Sequence, residues 1–104
     1  MIINFDTVSP VEIIRELGLR FRDYRMRLNL TRREISEKTT VSMTTLYKFE
    51  TGRVTDLSML TLLKLLRCIG MQQNCDQLIP DLPESPYLYT EKNKKKQRIR
   101  HPQK

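Results

Sequence analysis

Two helix-start signals, at Thr31 and Ser42, constrain this chain more than any other feature of its sequence. In Thr31-Arg32-Arg33-Glu34 the threonine can cap the third amide of a helix while the glutamate reaches back to the capping residue's own N–H. Leu30 before that cap and Ile35 after it have the spacing of a hydrophobic staple, and Val41 and Leu46 repeat the spacing around Ser42. The first of these helices should end near Thr39. The second should run to about Glu50 and stop at Gly52, a residue suited to the left-handed conformation that closes helices. Two short helices joined through Thr39-Thr40-Val41 make a helix-turn-helix on local grounds alone.

The flanking segments also read as helical. Ser9-Pro10-Val11-Glu12 marks a start, with Ser9 as cap, Pro10 at the first helical position and Glu12 completing a capping box. Ile14, Leu17, Phe21, Tyr24 and Leu28 follow on one helical face. Gly18 lies inside that helix at a cost of roughly 1 kcal/mol against Ala, which leaves open close packing or simple tolerance. Ser58 caps a fourth helix ending at Gly70, and Leu60, Leu62, Leu63, Leu65, Leu66 and Ile69 predict burial against several neighbours. A fifth, short helix is expected from about Asn74 to Ile79, before Pro80, Pro83 and Pro86 preclude regular helix. The fold class expected is all-α, with five helices. Residues 1–9 read as an N-terminal arm, either disordered or a strand that pairs with a second subunit. Residues 10–80 form the domain, 81–91 a Pro-rich linker and 92–104 a tail with the composition of disorder.

The net charge of +7 does not belong to the domain. Residues 1–91 hold twelve Lys/Arg and twelve Asp/Glu, which cancel. The excess is Lys92, Lys94, Lys95, Lys96, Arg98, Arg100 and Lys104, in a stretch without a single acid. Charge therefore argues for an anion-binding tail, and the fold must be argued from its motifs. Several classes are disfavoured. No apolar run approaches ~18 residues, so no membrane partner is expected, and the first ten residues do not resemble a secretory signal, which leaves the cytoplasm as the expected compartment. Cys68 and Cys75 fit no metal-ligand spacing and have no histidine cluster beside them; a disulfide between them and two ordinary thiols both stay open. With no nucleophile–His arrangement, no Gly-rich phosphate loop and His101 alone near the end, neither an enzyme nor a cofactor or metal is expected.

The segment 17–53, LGLRFRDYRMRLNLTRREISEKTTVSMTTLYKFETGR, resembles the core pattern of the Cro/lambda-repressor-type (XRE) helix-turn-helix family. The resemblance extends through Gly70 and is carried by Leu30-Thr31, Ile35, Val41-Ser42, Leu46, and Phe49-Glu50 followed by Gly52. Two positions depart from it: Ser36 stands where the family usually has Ala, and Thr40 where it usually has Gly at the tight turn. A β-branched residue at positive φ is strained, so another turn geometry is open at Thr40. The resemblance implies that the second short helix enters a DNA major groove. Met43, Thr44, Tyr47 and Lys48 would then face base edges, a reading that agrees with their shared helical face opposite Leu46 and Phe49. It implies phosphate contacts at Arg32, Ser42 and Arg53. It also implies a structural ion pair between Arg25 and Glu50, which in several members joins the first helix to the end of the recognition helix.

The expected function is that of a sequence-specific regulator of transcription, a repressor, which binds double-stranded DNA as a homodimer on a palindromic operator. Two alternatives stand beside it. The continuation LIPDLPESPYL followed by a basic end is similar to HipB-like antitoxins, which would add a kinase-type toxin as partner, with Tyr87, Leu88 and Tyr89 as the candidate partner segment. A basic tail can also lead an RNA-binding accessory protein.

Overall fold

The computed structural model describes residues 3–83. The tail cations Lys92, Lys94, Lys95, Lys96, Arg98, Arg100 and Lys104, the segment Tyr87-Leu88-Tyr89 and His101 lie outside the described residues. Among the described residues the chain is all-helical, with α1 (Pro10–Arg27), α2 (Arg32–Thr39), α3 (Met43–Glu50), α4 (Met59–Cys68) and a 3-10 helix, Gln72–Gln77. Among the described residues no helix is long and apolar enough to cross a membrane.

The predicted caps account for where these helices begin. Thr31 and Glu34 form the complete reciprocal box, with Glu34 N–H donating to Thr31 Oγ1 at 3.1 Å and Thr31 N–H to Glu34 Oε1 at 2.8 Å. Ser42 and Ser58 accept from the amides of Thr45 and Thr61 at 3.1 and 3.0 Å. At Ser9 only half of the expected box forms. Its hydroxyl accepts from Glu12 N–H, while the Glu12 carboxylate turns to Arg15 at 3.3 Å. Each α-helix also ends at a left-handed residue: Asn29, Thr40, Gly52 and Gly70 in chain order. After α1, α3 and α4 the next amide reaches back to close a Schellman motif, as in Arg53 N–H to the Lys48 carbonyl at 2.8 Å.

Thr40 shows how the tight turn survives without glycine. Its backbone sits at φ 61°, ψ 17°, so the left-handed geometry is kept and no other turn replaces it. Neighbouring hydroxyls hold the strained residue in place. Thr39 Oγ1 donates to the Ile35 carbonyl at 2.7 Å and accepts from Val41 N–H at 3.2 Å, and Ser36 Oγ donates to the Val41 carbonyl at 2.6 Å. Ser36 thus keeps the small size that the helix approach needs and adds a bond across the turn.

Phe21, Ile35, Val41, Leu46, Phe49, Leu65 and Ile69 form the core, with the Phe21 and Phe49 rings tilted at a centroid distance of 5.8 Å. Both staple pairs contribute to it, since Leu30 packs against the cluster that holds Ile35, Val41 and Leu46. The buried line of α1 differs from its apolar stripe: Gly18, Phe21 and Arg25 are buried, whereas Tyr24 and Leu28 are exposed. The cause is contact with α3. A Cβ built on Gly18 would stand 1.8 Å from the Phe49 carbonyl oxygen, so the two backbones meet directly there.

Two further expectations change. α4 buries Leu65 fully, with its cap residue Ile69 buried beyond it, but leaves Leu60 64% exposed, because the short helices cover only one of its sides. An apolar groove of about 250 Å³ stays open between α1, α4 and the 3-10 helix, lined by Leu17, Tyr24, Leu62, Leu66, Met71 and Leu78. The final helix is a short 3-10 helix, Gln72–Gln77, with no side-chain cap, and Pro80 bars its extension. Within residues 3–9, Asn4 and Thr7 close a turn and Phe5 lies beneath the Arg20 guanidinium.

Two substitutions measure these backbone constraints by chemical denaturation. Gly18→Ala should lose about 2–3 kcal/mol, because a methyl cannot share space with a backbone carbonyl. Thr40→Gly should gain about 1 kcal/mol by releasing the left-handed strain.

Candidate nucleic-acid interface

The site is built on α3, whose inner face is fixed first. Leu46, Phe49 and Glu50 are buried, and Glu50 has no exposure at all. A carboxylate survives in such a place only when paired. Arg25 donates through Nε to Glu50 Oε2 at 2.7 Å and through Nη2 to Glu50 Oε1 at 3.0 Å. Its third nitrogen, Nη1, donates to the Leu30 carbonyl at 2.7 Å. α1, the entry to α2 and the end of α3 are therefore joined by one guanidinium.

Arg32 adds a second cation to this pair. As the first residue of α2 it donates through Nε to Glu50 Oε1 at 3.0 Å, with its side chain about a third exposed. Its terminal nitrogens make no hydrogen bond among the described residues. One buried carboxylate thus serves two arginines, and the cluster keeps one net positive charge at the surface. Sequence reading placed Arg32 at the helix start but did not pair it with Glu50, because periodicity carries no information about contacts between elements. The same cluster leaves no buried side-chain polar atom without a partner among the described residues.

The outer face of α3 carries Met43, Thr44, Tyr47 and Lys48, all exposed. Thr44 and Lys48 have no side-chain partner among the described residues, which leaves a hydroxyl and an ammonium facing outward. Tyr47 is different. The Arg32 guanidinium lies 5.2 Å and the Arg53 guanidinium 5.8 Å from its ring centroid. Ser42 spends its hydroxyl on the helix, accepting from Thr45 N–H and donating to Thr45 Oγ1 at 3.0 Å. At the near end of α2 a shallow depression is lined by Arg25, Arg32, Arg33 and Met43 with no carboxylate among its lining residues. Arg33, which lines this depression, was not singled out from sequence, since its position inside the capping box marks it only as a helix residue.

Other features fall away from this surface. Arg15 and Arg20 on α1 pair with Glu12 and Glu16 of their own helix. Cys68 and Cys75 are free thiols. No group of His, Cys, Asp and Glu among the described residues could hold a metal ion.

The buried triad sets a measurable cost. Glu50→Gln should destabilise the domain by about 3–5 kcal/mol in urea denaturation, because Arg25 then stays buried without a counter-charge. The apolar double replacement Arg25→Met with Glu50→Leu should recover most of that loss.

Comparison with known proteins agrees with this geometry. No curated protein and no solved structure shows a significant match to the chain. A family model described as a helix-turn-helix domain matches residues 16–74, from within α1 through the start of the 3-10 helix. That span covers more than half of the chain and contains α2, α3 and the whole buried triad, so the chain belongs to the helix-turn-helix domain family.

Proposed function

We propose that this protein is a sequence-specific transcriptional regulator of the Cro/lambda-repressor (XRE) type, a repressor, which lays α3 in the major groove of duplex DNA. The observation that carries this reading is the division of α3 into a fixed inner face and an uncommitted outer one. Lys48 can donate to guanine O6 and N7, Thr44 can serve several acceptors, and Met43 can meet a thymine methyl. Arg32 and Arg53 flank that face and suit backbone phosphates, and the α3 amides beside Ser42 add a helix N-terminus to the same side. The family match supports the same reading.

One eight-residue helix spans only a few base pairs, so binding as a homodimer to a palindromic site follows from the need for a longer sequence. Leu78 and Ile79, 60% and 89% exposed at the end of the 3-10 helix, are the apolar surface that supports such pairing. The basic tail would contribute phosphate contacts from outside the domain. This regulator would act in the cytoplasm, where it meets its DNA.

Selection of bound duplexes from a random pool tests the reading: one recurring, two-fold symmetric sequence is expected, and no enrichment would refute it. On that sequence Lys48→Ala should lose about 1–3 kcal/mol of discrimination at one base position while binding random duplex as before. Equal losses on both duplexes would assign Lys48 to a phosphate.

A further inference from the structure

We propose that Tyr47 is a positioning residue: its ring holds the Arg32 and Arg53 guanidiniums as a two-point clamp for backbone phosphates, and it does not read a base. The proposal rests on the duplex-DNA reading above and assigns a different role to one residue of its base-facing set. Arg32 comes from the first position of α2 and Arg53 from the loop beyond Gly52, yet both guanidiniums lie within 6 Å of one ring centroid. Their Cζ atoms are consequently no more than 11 Å apart. The electron-rich ring attracts each guanidinium through its quadrupole and so gives two cations from different elements one common anchor.

Each arginine is also tethered away from the ring. Arg32 is fixed through Nε to buried Glu50, which leaves its terminal nitrogens for a ligand. The Arg53 backbone is fixed by the hydrogen bond its N–H donates to the Lys48 carbonyl, and its guanidinium makes no ion pair among the described residues. A guanidinium with free terminal nitrogens matches phosphate in a bidentate way that an ammonium does not. Holding both in place before binding removes part of the side-chain ordering cost. A ring face covered by a guanidinium is closed to stacking on a base.

The full chain, its Tyr47→Phe variant and its Tyr47→Leu variant separate these roles by fluorescence anisotropy on the selected duplex and on random duplex. Tyr47→Phe should bind both within twofold of the wild type, and Tyr47→Leu should weaken both about tenfold with base preferences unchanged. In an Arg32→Ala, Arg53→Ala background, Tyr47→Leu should weaken binding no further. A changed preference at one base position in either Tyr47 variant would overturn the clamp, as would an undiminished Tyr47→Leu effect in the double-arginine background. Without DNA, the Arg32 and Arg53 Nε–H proton resonances should carry ring-current shifts that vanish in Tyr47→Leu while the backbone amide spectrum is retained. Absence of those shifts in the wild type would also overturn it. Failure of the wild type to bind any duplex overturns the site reading and the clamp together, whereas normal binding with an unaffected Tyr47→Leu variant overturns the clamp alone.

Discussion

Glu50 loses all contact with water at the end of α3, and the arrangement of three helices follows from what its carboxylate demands. Arg25 of α1 meets both oxygens, Arg32 of α2 shares one of them, and Arg25 also binds the carbonyl that leads into α2. A buried ion pair adds little stability over a well-packed apolar replacement, but separating its members leaves a charge stranded at a cost of several kcal/mol. Packings of α1, α2 and α3 that break the triad are thereby penalised more than the hydrophobic core alone would penalise them. The core residues Phe21, Ile35, Leu46 and Phe49 supply the attraction, and the triad adds a directional constraint.

The two kinds of restraint were unequally legible in the sequence. Capping and staple patterns are local, and at Thr31, Ser42 and Ser58 they located helix starts to the residue. Contacts between elements are not local, so the apolar stripe of α1 pointed to Tyr24 and Leu28 while the folded helix turned Gly18 and Arg25 inward. The role of Arg25 and Glu50 was available through family resemblance and not through spacing. The Leu-rich stretch of α4 over-predicted burial for a related reason: composition reports what a helix would prefer to bury, and a domain of this size has too few partners to cover it. Thr40 erred in the opposite direction, since the left-handed turn persisted where its residue type argued against it and local hydroxyls supplied the support.

The outer face of α3 was read correctly as a set of exposed residues, but its members are not equivalent. Thr44 and Lys48 are unconstrained by neighbours and can adapt to what they meet. Tyr47 is held with arginines contributed by α2 and by the loop after α3, a grouping that no pattern within α3 reveals. Residues already ordered lose little freedom on binding, while free ones retain the choice of partner. The surface therefore combines a stiff border with an adaptable centre.

The meeting of Gly18 with the Phe49 carbonyl has a consequence for how this protein can change. Where two backbones touch without an intervening side chain, the pose of α3 is set from behind, by atoms that every residue possesses. The outward positions 43, 44 and 48 then carry no share of that task. They behave as an interchangeable head on a fixed mount, open to successive replacement without refitting the domain beneath. The same contact makes Gly18, remote from any ligand, less replaceable than the side chains that would touch one.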